Sequence, residues 1–220
     1  MNPAGQISKT RCDWGLYVIL DSTMSGLSHP EAARQALAGG AKVLQLRDKG
    51  ARFEDLLEAG HELRALTKAA AATLIINDNP YLAKEIGADG VHLGQEDFPV
   101  YIARETLGPD AIIGISTHTK QQALAALTLP VNYIAVGPVF ATTTKPTGRK
   151  PVGADHVRWV KEHVKMPVVA VGGITAAAIP ELIRAGADNV AVIREIMGSG
   201  GIESKVRELS QLIAAAKAST

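Results

Sequence analysis

A single cysteine, two tryptophans, four tyrosines and three phenylalanines are what this chain of 220 residues has least of. Cys12 alone cannot close an internal disulfide, which favours a reducing, cytoplasmic setting. Aromatics at 4% leave little for a base-stacking platform. Charge of one sign is missing too: 23 basic side chains face 22 acidic ones, a net charge of +1, so the basic stripe of a general nucleic-acid binder is not there. No apolar run approaches the roughly 18 residues of a membrane span. Residues 1–13 lack the continuous apolar stretch of a signal peptide. These absences lead us to expect a soluble cytoplasmic domain, with neither nucleic acid nor membrane as partner.

What is present suits a packed core. Apolar residues make up 46% and charged residues 20%, which disfavours disorder, and the length matches one barrel-sized domain over residues 1–220, with 1–13 as an N-terminal extension. Short β-branched runs at 15–20, 42–47, 73–77, 90–93, 112–116, 133–136, 167–171 and 189–193 read as strands. Helical stretches separate them; the second carries Leu56, Leu57, His61, Leu63 and Leu66, the sixth Val157, Val160 and Val164. Eight alternations of continuous apolar strand and helix predict an α/β protein with a closed parallel (β/α)8 TIM barrel, a doubly wound open sheet being the alternative. A cassette recurs where helices end, in Ala38-Gly39-Gly40-Ala41-Lys42-Val43, Ile86-Gly87-Ala88-Asp89-Gly90-Val91 and Ala185-Gly186-Ala187-Asp188-Asn189-Val190; glycine there supplies a left-handed residue before the next strand. The longest irregular stretch, 137–153, has the length of a functional loop.

Chemistry in such a barrel sits at the C-terminal ends of the strands. In Val43-Leu44-Gln45-Leu46-Arg47-Asp48-Lys49, period two sends the leucines toward the helices and Gln45, Arg47 and Lys49 up the lumen; solvated loop charges are the plainer alternative for Arg47 and Lys49. The third strand ends in Asn77-Asp78 and the fourth runs into His92-Leu93-Gly94-Gln95-Glu96-Asp97. Carboxylates at adjacent strand mouths, Asp78 and Asp97, fit the sparse protein coordination of Mg2+, which fills its shell with water and phosphate oxygens. Asn77 and Asp78 as caps of the next helix are the competing reading. Gly172-Gly173 after the seventh strand offers backbone amides at a helix start to an anion. Thr142, Thr143, Thr144 and Lys145 suit a second phosphate or diphosphate, or else form a solvated turn. The six histidines show no zinc spacing, and His92 reads as a hydrogen-bonded barrel residue.

In their order along the chain, these motifs resemble the thiamine phosphate synthase family: Gln45-Leu46-Arg47-Asp48-Lys49, Asn77-Asp78, His92 to Asp97, Gly114-Ile115-Ser116, Gly137-Pro138 with Thr142 to Lys145, and Gly172-Gly173-Ile174. The resemblance spans the barrel from residue 15 to near Lys217. It implies a transferase that joins hydroxymethylpyrimidine diphosphate to thiazole phosphate, releasing diphosphate, with Mg2+ as cofactor. By the same resemblance Gln45, Leu46, Arg47, Asp48, Lys49, Asn77, Ser116 and Lys145 bind the pyrimidine diphosphate, and Asp78 and Asp97 hold the metal. Thr142, Thr143, Thr144, Gly173, Ile193 and Arg194 surround the thiazole phosphate, and Arg47, Lys49, Lys145 and Ser116 carry the catalysis. Arg194 departs from the family, which usually has a small residue there.

The implied reaction is dissociative, and the attacking thiazole nitrogen has no proton to lose, so no general base is needed. That agrees with the lack of a Ser-His-Asp or Cys-His arrangement. His118 would instead be the catalytic candidate in the related thiazole tautomerases, but these lack the residues expected for metal and diphosphate. A regulatory protein binding thiazole phosphate without turnover, or a phosphate-binding isomerase, explains the charged residues less well. Homo-oligomerisation is compatible with the sequence.

Overall fold

A computed structural model of the chain describes residues 12–142 and 148–219. Its eight strands are β1 (Leu16–Leu20), β2 (Val43–Leu46), β3 (Thr73–Asn77), β4 (Gly90–Leu93), β5 (Ile112–Thr117), β6 (Tyr133–Val136), β7 (Val168–Val171) and β8 (Asn189–Val192), each within a residue or two of its sequence-predicted place. They form one closed barrel in sequence order, all parallel, and β8 returns to β1 with Leu16 opposite Val190 and Val18 opposite Val192. The closed sheet replaces the open-sheet alternative.

Among the described residues the α-helices are α1 (Ser22–Ser25), α2 (His29–Ala38), α3 (Phe53–Ala69), α4 (Pro80–Ile86), α5 (Val100–Leu107), α6 (Lys120–Ala125), α7 (Gly153–His163), α8 (Ile179–Arg184), α9 (Arg194–Met197) and α10 (Ile202–Ala218). Among the described residues, no helix is long and apolar enough to cross a membrane.

Strand alternation splits the interior into two cores. Leu44, Leu46, Leu74, Ile76, Ile113 and Ile134 point outward into the layer between sheet and helices. Val43, Ile75, Tyr17, Tyr133 and Val169 point inward and fill the lumen with Trp14 and Cys12 below them. Gly114 makes room for the largest of these: a Cβ there would lie 2.0 Å from the Tyr133 ring. Burial pushes the Cys12 thiol up to about 12, so it is a small apolar filler and not a nucleophile.

The helix-end cassettes do what their glycines suggest, with Gly40, Gly87 and Gly186 at φ 94°, 68° and 95°. Their polar residues have a further task at the barrel floor. Asp89 accepts the Leu74 amide at 2.8 Å and pairs with Arg64 of α3 at 2.9 Å. Asp188 accepts the Val168 amide at 2.8 Å and pairs with Lys161 of α7 at 2.6 Å. Asn132 repeats the device, accepting from the Ile113 amide and from Arg104 of α5. The starts of β3, β5 and β7 are thus each fastened by a side chain that stands just before the following strand, backed by a cation from the helix that leads into the fastened strand. Below β1, Asn189 accepts the amides of Trp14 and Gly15 and donates to the Cys12 carbonyl.

Candidate active site

At the opposite, C-terminal end of the strands a cavity of about 480 Å³ opens, lined among others by Tyr17, Gln45, Arg47, Asn77, His92 and Ser116. That is the size of an ordinary small-molecule site. The parity argument for β2 holds. Gln45 is buried and donates to the Tyr17 hydroxyl at 2.9 Å, and Arg47 lines the mouth. Leu46 packs in the outer core, and the Asp48 carboxylate accepts from the Ser22 hydroxyl at 2.5 Å and the Gly50 amide at 3.2 Å, so these two residues can offer a ligand in the cavity only their backbone.

Arg47 is held by a partner that sequence reasoning missed. Asp21, just past β1 and 5% exposed, takes its guanidinium at 2.7 Å, and the Thr23 hydroxyl steadies the other carboxylate oxygen. A lone acidic residue directly after a strand was signal enough to find it.

The rim over β2, β3 and β4 carries the charged cluster. Lys49 meets Asp78 at 3.0 Å, and Asp78 stands close enough to Asp97 to act on its carboxyl. Asp78 has φ 64°, a left-handed conformation uncommon outside glycine, and its amide is tied to the His92 carbonyl at 2.8 Å. This turn swings the carboxylate from the end of β3 across to the β4 loop. Capping is left to Asn79, whose side chain accepts from the amides of Tyr81 and Leu82, so neither Asn77 nor Asp78 serves as the α4 cap. Burial pushes the Asp97 carboxyl up from its ordinary range. The neighbouring Asp78 carboxylate adds to the rise, while the Gly94 amide and Lys49 oppose it. Two carboxylates forced together favour sharing a proton or a cation. Among the described residues no group of three or more His, Cys, Asp or Glu gathers; the two carboxylates are oxygen donors of the kind a hard cation takes.

On the β5–β8 side, Ser116, His118, Thr142, Gly173, Ile193 and Arg194 line the same cavity, Arg194 exposed at the start of α9. Thr143, Thr144 and Lys145 lie outside the described residues. The glycine pair does not open a helix, as the sequence suggested: a 3-10 turn at Ala176–Ala178 precedes α8. Gly172 and Gly173, at φ 99° and 66°, instead let the β7 turn lie against the β6 loop, where a Cβ on Gly173 would meet the Ala141 carbonyl at 2.4 Å. The root of that loop is fixed by Val139 and Phe140 amides to Val171 and Gly172 carbonyls, and by His118 Nδ1 at 2.5 Å from the Gly137 carbonyl. His92, as expected, is a hydrogen-bonded barrel residue, with Nε2 2.9 Å from the Ser116 hydroxyl and Nδ1 3.0 Å from that of Tyr133.

A closed parallel barrel whose mouth gathers basic groups beside a carboxylate pair defines a (β/α)8 protein built to receive an anionic small molecule. The chain belongs to the family described as thiamine monophosphate synthase, whose model matches residues 16–196. It is similar to a thiamine-phosphate synthase of Chloroflexus aurantiacus, 42% identical over 202 residues that span 91% of this chain and 93% of the relative. One from Moorella thermoacetica is 39% identical over 206 residues, 93% of this chain and 98% of that one. Among solved structures, a thiamine phosphate pyrophosphorylase from Pyrococcus furiosus superimposes with a TM-score of 0.85 at 35% identity, covering 93% of this chain and 97% of the other. The resemblance read from the motifs is therefore borne out.

Proposed function

We propose that this chain is a thiamine phosphate synthase, a transferase that joins 4-amino-2-methyl-5-hydroxymethylpyrimidine diphosphate to 4-methyl-5-(2-hydroxyethyl)thiazole phosphate and releases diphosphate. The observation that carries this reading is the division of the mouth: an uncharged chamber floored by Tyr17, Gln45, His92 and Ser116 lies under a rim with Arg47, Lys49, Asp78 and Asp97. A neutral aromatic ring bearing a charged leaving group matches both halves at once.

In this reading Gln45, Asn77 and Ser116 hold the pyrimidine, and Arg47 and Lys49, joined by Lys145, hold its diphosphate. Asp78 and Asp97 would hold Mg2+, which when bound supplies positive charge to the leaving diphosphate. The bond from the pyrimidine methylene to the diphosphate oxygen breaks first, and its electron pair leaves with diphosphate. The aminopyrimidine ring delocalises the cation, and the thiazole nitrogen then donates its lone pair to the methylene carbon. No proton moves, so the protein's work is to stabilise the departing charge and to keep water away from the cation. Tyr17, Ile19, Ala135, Val169, Val171 and Ala191 give the chamber walls that carry no charge and no strong nucleophile. Thr142, Gly173, Ile193 and Arg194, together with Thr143 and Thr144, receive the thiazole phosphate.

The test is to incubate protein, both substrates and Mg2+ and to measure thiamine phosphate. Asp78→Ala and Lys145→Ala are expected to fold and to lose about 100- to 1000-fold in rate, as when one charge-stabilising group is removed. Absence of product from the wild-type chain overturns the function, and near-normal turnover of both variants at saturating Mg2+ overturns the assignment of these residues.

A further inference from the structure

The hydrogen bonds across the chamber form one unbroken chain. The Gln45 amide donates to the Tyr17 hydroxyl at 2.9 Å, the two tyrosine hydroxyls are 3.0 Å apart, the Tyr133 hydroxyl is 3.0 Å from His92 Nδ1, and His92 Nε2 is 2.9 Å from the Ser116 hydroxyl. Five side chains from five strands, β1, β2, β4, β5 and β6, are joined through a lumen in which Tyr17 and Tyr133 are 1% and 0% exposed. Burial raises both phenols well above their ordinary range, so each keeps its one proton.

Proton counting then fixes a direction. A phenol has one hydrogen to give, and a buried hydroxyl proton with no acceptor is costly. Tyr17 accepts from Gln45, and its only other hydrogen-bond partner among the described residues is Tyr133. With the Gln45 amide as donor, Tyr17 gives its own proton to Tyr133. Tyr133, having accepted, gives its proton to His92 Nδ1. The imidazole can then carry its hydrogen only on Nε2, and it donates to Ser116. The Ser116 hydroxyl accepts from His92 while its carbonyl accepts from Gln95 Nε2 at 2.6 Å, and the residue lines the cavity.

We propose that this one-way chain holds His92 as the neutral Nε2–H tautomer and thereby makes Ser116 a hydrogen-bond donor into the chamber, with His92, Tyr133 and Tyr17 as positioning residues that select a substrate atom with a lone pair. For the pyrimidine of the proposed reaction, on which this last step rests, that atom is a ring nitrogen and not the amino group. The polarity has a second effect. With its proton aimed at Ser116 and its lone pair committed to Tyr133, His92 presents no base to the cavity, as a reaction without proton transfer requires.

The tautomer can be read without any assay of turnover, so its failure is distinct from failure of the functional reading. Nitrogen-15 NMR of the full chain labelled at histidine, with His92→Gln to assign the signal, is expected to show a protonated Nε2 and an accepting, unprotonated Nδ1 at pH 7. A proton on Nδ1, or on both nitrogens, overturns the proposal. Tyr133→Phe keeps the ring but cuts the chain between Tyr17 and His92. It is expected to raise KM for the pyrimidine diphosphate about tenfold, the scale of one well-placed hydrogen bond, with KM for the thiazole phosphate unchanged. Equal changes in both KM values would show a general loss of structure and overturn the positioning role, as would no change in either.

Discussion

Replacing Asp21 by asparagine removes one charge from the ion pair that holds Arg47, and the structure sets the scale of the loss. The Oδ2–Nη1 distance is 2.7 Å, and the side chains are 5% and 11% exposed. Breaking a buried pair by taking away one partner typically costs about 3–5 kcal/mol, because a charge is left uncompensated. Two features lower that figure here. Asparagine keeps one oxygen, which can still accept from Arg47, and Arg47 lines a cavity that water can enter. We expect about 2 kcal/mol. In a chain of this length each kcal/mol moves Tm by about 2–4 °C, so calorimetry should find Asp21→Asn lower by about 4–8 °C. The remaining unpaired guanidinium gives the variant a signature. Inorganic diphosphate restores a negative partner to Arg47, so it should raise the Tm of Asp21→Asn more than that of the wild type, narrowing the gap. With the guanidinium less fixed, kcat/KM for the pyrimidine substrate should fall about tenfold or more. An unchanged Tm together with an equal response to diphosphate would refute the reasoning, since it would mean that Asp21 neither stabilises nor orients Arg47.

Asp97 gives a pH-dependent expectation. Its folded-state pKa is raised, so its contribution to stability is present below the ordinary carboxylate range and is lost as pH rises through the raised value. At neutral pH the ionised pair with Asp78 is therefore a cost that a cation relieves. Mg2+ should raise Tm at pH 7, less so as pH falls through the carboxylate range, and not at all in Asp97→Asn; an equal Mg2+ shift in that variant would place the ion elsewhere. Arg194→Ser should raise KM for the thiazole phosphate severalfold and leave that for the pyrimidine diphosphate unchanged, which steady-state kinetics with each substrate varied in turn will check. Asp188→Ala strands the Val168 amide and leaves Lys161 unpaired, so denaturant unfolding should show a loss of about 1–3 kcal/mol with kcat and both KM values intact.

Much of this architecture was open to reading because its cause is local. Each strand is a short apolar run, and a barrel with helices outside needs both strand faces apolar, so eight runs alternating with 3.6-period stretches could be counted directly. Period two alone placed Gln45 and Arg47 in the lumen while Leu44 and Leu46 went outward. What stayed hidden depends on closure. Tyr17 and Tyr133 are 116 positions apart and meet only because β1 and β6 face each other across the ring. Their lumen-facing parity, shared with Ile19 and Ala135, hinted that they point inward, but not that they touch. The Asp78 turn was obscured for another reason: three polar residues in a row, Asn77, Asp78 and Asn79, compete for one helix cap, and only the backbone settles that Asn79 takes it.

The fastenings under β3, β5 and β7 divide labour along the barrel axis. Asp89, Asn132 and Asp188 grip strand starts with help from Arg64, Arg104 and Lys161, at the end away from Arg47, Lys49 and Ser116. They act as a hoop around the base of a cask, keeping the staves closed whatever is done at the lid. Loops at the mouth can then be lengthened, exchanged or recruited for another substrate without asking the same residues to hold the vessel shut. A graft of foreign β4, β6 or β8 loops onto this base should therefore keep its cooperative unfolding even where it loses its chemistry.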